Sequence, residues 1–420
     1  MISYAELKNS SFNDLPIDDF WNTGSERELK MHKIHSYPAK FPSFITTKSI
    51  EYANAQGLNA RSIADVFCGC GTVAYEAGRK AVDFWGCDIN PVATLIARTK
   101  SKTYQSGRLE KYFEDIVNSF EFEIVEDTYK NANKRLKYWY TRRQYNELYH
   151  LREIILESTP KYSSYRQFFL VAFSNILKPT SRWLTKSIKP QIDPNKKIIR
   201  VLPAFKDQCK FMLSAVDQCQ YSERSLSIIE TANILDESIS PPNVDMIVTS
   251  PPYVTSYEYA DLHQLSSLWL EFTNDYRNLR RGSIGSVHHD YNFEREAKRL
   301  NSIGNDIVFS MYSIDKSKAK SIAKYYLDMQ NVAKVCYSML SQNGMALFVI
   351  GNTEYKGVRI DNARHLSESL LEAGFSDIQI TKRKISNKIL TPYRDKNGKF
   401  TSNKSGRKIY SEEFIVIGHK

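Results

Sequence analysis

No stretch of this 420-residue sequence approaches 18 consecutive apolar residues, which excludes a helix of membrane-spanning length. Cysteine is scarce, six in all, and none sits in pairs with metal-ligand spacing. The tightest pair, Cys68 and Cys70, flanks one glycine as CxC, too close for a zinc knuckle. His288 and His289 precede Asp290, but adjacent side chains diverge and no third ligand matches, so no metal is expected. Internal repeats and low-complexity tracts are absent, and MISYAELKNSSFNDLP lacks the basic-then-apolar layout of a signal peptide. With so few cysteines, a reducing compartment and a cytoplasmic location are expected. The first 30 residues are polar and predict a loosely packed lead-in.

What is present is basic charge. The formal net charge is +11 and the isoelectric point about 9.1, with 12% aromatic residues available for stacking. That balance favours a polyanionic partner. Hydrophobic content of 42% and charged content of 25% are ordinary for a globular chain. The length predicts one core domain plus a large insertion.

The most informative stretch is VDMIVTSPPY, Val244 to Tyr253. Val244, Met246, Ile247 and Val248 form a short apolar run suited to a parallel strand covered on both faces. Pro251 and Pro252 can donate no backbone N–H, so the ladder must end there. Ser250, two stiff carbonyls and the ring of Tyr253 are then held at the strand's carboxyl end, the edge where open α/β sheets bind ligands. A small acceptor beside an aromatic plate suits a flat heterocycle with an exocyclic amine. Taken alone, the same residues also make an ordinary Pro-Pro turn after a core strand.

A second pattern lies upstream. Ile63 to Phe67 reads as a buried strand that runs into Cys68-Gly69-Cys70-Gly71-Thr72 and a helix over 73–80. Glycines there allow close backbone approach, and the helix start offers free N–H groups. Phe84-Trp85-Gly86-Cys87 predicts the next strand, ending in Asp88, about 17 residues beyond Gly71 and near the spacing at which an acidic residue takes ribose hydroxyls. Ala74 stands where a third glycine of GxGxxG would be, which argues against a nicotinamide dinucleotide.

TSPPY resembles motif IV of the AdoMet-dependent DNA amino-methyltransferases, and DVFCGCGT resembles their motif I. MHKIHSYPAKFPSFITTKSIEYA, residues 31–53, is similar to motif X, and YEYADLHQLSSLWL to the helix after motif IV. The likeness covers roughly residues 31–99 and 226–420. It implies an α/β, Rossmann-like fold with a mostly parallel seven-stranded sheet plus a helical insertion, and S-adenosyl-L-methionine (AdoMet) as cofactor. By the same resemblance Phe67, Cys68, Gly69, Gly71 and Thr72 line the methionine moiety, Asp88 binds the ribose and Ile89 covers the adenine. Tyr37, Pro38, Lys40, Asn90 and Ala232 complete the cofactor-binding set. The family often carries Asp-Ala at motif III, where this chain has Thr231-Ala232. Ser250, Pro251, Pro252 and Tyr253 are the implied catalytic residues. The Ser-containing motif is most typical of the enzymes that methylate N4 of cytosine, although some adenine enzymes also carry it. Ring-carbon methylation would need a Pro-Cys nucleophile, and none of the six cysteines follows a proline.

These readings divide the chain into 1–99, motif X and the AdoMet-binding half; 100–225, a helical basic insertion; and 226–420, the catalytic half. Departure from the family pattern begins near Thr94 and lasts to Ser225. Tyr138, Trp139, Tyr145, Leu148 and Leu151 fall at helical spacing there, as do Phe168, Val171, Ala172 and Ile176. Arg142, Arg143, Arg182 and Lys186 are interleaved with them, and Arg280 and Arg281 lie in a second basic stretch after motif IV. All six are candidate DNA contacts, and an insert with a core stripe and a solvated basic face is the alternative. The expected partner is double-stranded DNA, with a cognate restriction endonuclease as a further one. An N6-adenine enzyme, an RNA base-amine methyltransferase and a catalytically silent DNA-binding module remain alternatives.

Overall fold

Short apolar runs build the sheet. The computed structural model describes every residue except 8–11, 23–26, 39, 123–125, 185–186, 188–189, 220–224, 255–257, 289–290, 386–392, 395–406 and 409–411. The strands of its main sheet are β1 (Ile2–Ser3), β2 (Ser62–Asp65), β3 (Asp83–Asp88), β4 (Ser227–Thr231), β5 (Val244–Thr249), β6 (Leu340–Ile350), β7 (Ser376–Lys384) and β8 (Glu412–His419); two short two-stranded ribbons, Thr353–Tyr355 with Val358–Ile360 and Tyr393–Arg394 with Arg407–Lys408, lie outside it. They form one sheet in the order β1-β7-β8-β6-β5-β2-β3-β4. Neighbours from β4 through β6 pair in parallel, whereas β8 is antiparallel to both β6 and β7. The chain winds outward from β2 to β4 and then restarts at β5 on the other side. The switch between β2 and β5 opens a crevice at their carboxyl ends.

Alternation along each strand feeds two cores. Ala64, Trp85, Ile247, Phe348 and Val416 face α12 (Lys316–Met339) and α13 (Asn362–Ala373). Ile63, Phe84, Met246, Leu347 and Ile415 face α2 (Ser43–Ala55) and α3 (Thr72–Arg79). A third core gathers the insertion helices α5 (Ser106–Phe122), α6 (Lys134–Trp139), α7 (Arg142–Ser158), α8 (Ser164–Ile176) and α9 (Val201–Asp217). It also takes Met31 and Ile34 from the segment resembling motif X, Leu95 and Ile96 from α4 (Pro91–Lys100), and Leu265, Leu268 and Trp269 from α11 (Gln264–Trp269).

Three expectations need correcting. The sheet is mixed and has eight strands, because Ile2 and Ser3 pair with Ile380 and Gln379 and cover the otherwise open edge of β7. The described part of the first 30 residues is not a loose lead-in, since Tyr4, Phe12, Leu15 and Trp21 are buried. Polar neighbours hide these widely spaced anchors in the sequence. The departure from the family pattern does not begin at Thr94: residues 94–100 complete α4, whose Thr94 hydroxyl meets that of Thr231 at 2.6 Å.

Candidate active site

The cradle starts where β2 ends. Gly71 adopts a left-handed φ of 74° and caps α3. A Cβ on it would lie 2.6 Å from Ala97 Cβ of α4, so the turn can press against that helix only with glycine here. Asp88, at the end of β3, holds the loop from the opposite side. Its Oδ2 accepts the Gly69 N–H at 2.9 Å and its Oδ1 accepts the Asn90 N–H at 2.8 Å. Burial pushes Asp88 up to about 6 against the pull of those two donors. The Asn90 side-chain oxygen caps α4 by accepting from Val92 N–H. Ala232 N–H donates to the Asp88 backbone carbonyl at 3.1 Å, which places the motif III position beside the end of β3.

Tyr37 lies over this loop, near enough that a Cβ on Gly69 would sit 3.7 Å from its ring. Its other contact is His263, stacked at 4.9 Å between centroids with planes 22° apart. Burial pushes His263 down to about 3, so the imidazole is neutral and stacks as an uncharged ring. Lys40 donates to the His32 carbonyl and pairs with Glu28, while Pro38 occupies the intervening turn. Ile89, half-buried, is met by Gly282 of the later loop, where a Cβ would approach its Cδ1 to 3.3 Å. Asn233 Nδ2 fixes that loop by donating to the Gly282 carbonyl.

AdoMet fits this donor set. Among the cradle residues, Thr72 Oγ1 and Asn90 Nδ2 are buried without a hydrogen-bond partner, as expected of groups built to meet a polar ligand. Phe67, Cys68, Gly69, Gly71 and Thr72 would enclose it, with Asp88 offering its remaining lone pairs to hydroxyls.

The acceptor turn leaves β5 next door. Ser250 Oγ donates to the Val349 carbonyl of β6 at 2.9 Å. With its one hydrogen committed, that oxygen can only accept from a further partner. Pro251 is buried and ends the strand. Tyr253 donates its hydroxyl to Glu413 Oε1 at 2.9 Å. Two elements thus present a cofactor loop and an acceptor turn at one switch point.

Asp65 joins them, and sequence reasoning missed it. Its Oδ1 accepts from Thr249 Oγ1 at 2.6 Å and from Phe67 N–H at 3.1 Å, tying the end of β5 to the start of the cradle. Burial pushes it up to about 7, the two donors notwithstanding. The available signal was a carboxylate inside an apolar strand covered on both faces.

The six candidate DNA contacts are scattered. Arg142 and Arg143 are exposed on α7 and already paired with Asp127 and Glu147. Arg182 donates to the carbonyls of Lys137 and Tyr138. Arg280 is held by Asp261 of α10 (Tyr259–Leu262) at 2.7 Å and by His288 at 3.1 Å. Arg281 is exposed and directly precedes Gly282, the glycine that meets Ile89. Lys186, His289 and Asp290 lie outside the described residues.

No family model matches the chain. It is 24% identical over 400 residues to the Type II methyltransferase M.MvaI of Kocuria varians, covering 88% of this chain and 87% of that protein. It is 32% identical over 94 residues to the Type II methyltransferase M.MjaII of Methanocaldococcus jannaschii, covering 22% and 17% respectively. Two solved structures of the rRNA methyltransferase aviRa from Streptomyces viridochromogenes align over 92% and 87% of this chain, and over 88% and 96% of theirs. Their TM-scores are 0.28 and 0.23 at 10% and 11% identity, too loose to bear on the fold. The near-full-length likeness to M.MvaI, the sheet order and the cradle agree with one another, and they support an AdoMet-dependent methyltransferase.

Proposed function

We propose that this protein methylates the exocyclic N4 amine of cytosine in duplex DNA, after the base has turned out of the stack. Ser250 carries the reading: its hydroxyl hydrogen is spent on Val349, so Oγ faces a substrate as a pure acceptor. A cytosine amine is a poor nucleophile because its lone pair is delocalised into the ring. Hydrogen bonds from that amine to Ser250 Oγ and to the Pro251 carbonyl favour a pyramidal nitrogen and localise the pair. AdoMet supplies an electrophilic methyl group on its sulfonium. The Asp65–Thr249 link keeps the cradle and the acceptor turn in register, so alignment and electrostatics provide most of the rate. No strong base is required, because the methylated amine is acidic and its proton can leave through the same acceptors. Tyr253 offers the ring on which the displaced base stacks.

The words "Type II" in the names of both similar proteins support a modification system paired with an endonuclease. An adenine amine presents the same pair of donors to the same turn, so N6-adenine is the second reading. Mass analysis of nucleosides from DNA treated with protein and labelled AdoMet separates them. N4-methylcytosine is expected. N6-methyladenine would overturn the base assignment, and label found only in RNA would overturn the DNA substrate.

A further inference from the structure

The tyrosine of the acceptor turn is braced from the far end of the chain. Tyr253 donates its hydroxyl to Glu413 Oε1 at 2.9 Å, and Arg383 Nη2 donates to Glu413 Oε2 at 2.5 Å. Glu413 and Arg383 face each other directly across the antiparallel pair β8 and β7. Arg383 is 2% exposed and lies over the Phe44 ring of α2 at 5.6 Å, while Glu413 retains 16% of its side-chain surface. A buried guanidinium–carboxylate pair is a poor source of stability, because desolvation consumes most of the attraction. Apolar residues fill the neighbouring positions Phe414, Ile415 and Val416, so an ion pair here calls for another reason. Gly351, directly after β6, supplies a further constraint: a Cβ there would lie 2.9 Å from Tyr253 Cε2. The ring is therefore wedged along one edge and tethered at its hydroxyl.

We infer that Glu413, held by Arg383, is a positioning residue that fixes the ring plane of Tyr253 as a ready-made platform for the target base. The inference rests on the base-methylation reading above and adds two residues that lie 130 and 160 positions beyond the turn. It also assigns the tyrosine hydroxyl to anchoring, since its hydrogen points at Glu413 and away from any proton transfer. The ring without the hydroxyl keeps its stacking face and loses only the tether. Tyr253→Phe and Glu413→Ala should therefore cause the same defect in methyl transfer, and the second should slow transfer no further once the first is present, although it also lowers stability by leaving Arg383 without its carboxylate.

The experiment is a double-mutant cycle on the full chain, read as single-turnover methyl transfer to duplex DNA and as AdoMet affinity. Tyr253→Phe and Glu413→Ala should each slow transfer about tenfold, the worth of one anchoring hydrogen bond, and the double variant should be no slower than either. AdoMet affinity should stay within about twofold of the parent in all three, which certifies the fold. Glu413→Gln, which keeps the volume and an acceptor, should cost less than Glu413→Ala and nothing in the Tyr253→Phe background. Additive losses, or a Glu413→Ala enzyme as fast as the parent, would overturn the inference while leaving the methylation reading intact. A parent protein that binds AdoMet yet methylates no nucleic acid would overturn that reading and this inference together.

Discussion

Asp65 keeps its proton to an unusual pH, and that has consequences for stability. Its ordinary value is 3.8, and burial between β2 and β5 pushes it up to about 7. Across that window the native chain binds more protons than the unfolded one. The associated stability is complete below 3.8 and is lost as the pH rises through 7. Asp88 acts in the same direction, with its value pushed up to about 6. Asp65→Asn retains acceptors for Thr249 and Phe67 and has no charge to bury. Thermal melts at pH 5 and pH 8 should show a shallower fall for the variant than for the parent. An equal fall would mean that Asp65 is ionised throughout. Asp88 and Ser250 separate binding from transfer at this same scale. Asp88→Ala removes a charged acceptor for hydroxyls and releases Gly69, so calorimetry should find AdoMet bound about ten- to a hundredfold more weakly. Ser250→Ala should bind AdoMet normally and lose about 2–4 kcal/mol of transition-state stabilisation, seen as a fall in kcat.

Among the elements, the insertion does two jobs with different faces. Of its apolar stripes, Tyr138 is exposed because it lies on the outer side of α6, whereas Trp139, Tyr145, Leu148, Leu151, Phe168, Val171, Ala172 and Ile176, expected in the same stripes, are buried. They pack α7 and α8 against Trp269, whose ring meets Tyr140, Tyr145 and Phe173 at 4.9 to 5.9 Å. The insertion thereby reaches the helix after the acceptor turn, and Asn175 accepts from the Ser36 N–H of the segment beside Tyr37. Helical periodicity made the helices legible, but it carries no information on which distant surface a stripe will cover. The same limit applies to Asp65 with Thr249 and to Tyr253 with Glu413, pairs separated by 184 and 160 residues. The cradle was readable because strand, glycine turn and helix are contiguous; the brace was not, because its parts sit on a turn and two later strands. Charge on the insertion's outer face is equally context-bound. Arg142 and Arg143 already have carboxylate partners, whereas Arg281 is exposed beside the loop that covers Ile89. For duplex binding measured against salt, Arg281→Ala should lower affinity and reduce the salt slope by about 1. Arg142→Ala with Arg143→Ala should change the slope less than Arg281→Ala alone, and the reverse order would move the DNA path onto α7.

At the scale of the whole molecule, the site depends on a sheet edge that the chain closes with its own beginning. β1 pairs with β7, Ile17 bridges to Lys382, and Asp18 N–H donates to the Lys382 carbonyl at 2.8 Å. Asn22 Oδ1 accepts the Lys384 N–H at 2.9 Å. The strand so covered is the one that carries Arg383, so the first residues of the chain steady the brace behind Tyr253. Trp21 anchors this segment: it is 1% exposed and its ring lies 5.8 Å from that of Tyr52 on α2. Trp21→Ala leaves a cavity in a well-packed cluster, and should cost about 3–5 kcal/mol in reversible denaturant unfolding. The loss should be uniform in its effects: lower stability and unchanged kcat in the fraction that is folded at 25 °C. Saturating AdoMet should recover part of the lost stability, because a ligand held only by the native cradle adds about 2.7 kcal/mol at a hundred times its Kd. If Trp21→Ala lowered kcat of fully folded protein while leaving stability unchanged, the N-terminal segment would belong to the catalytic apparatus itself.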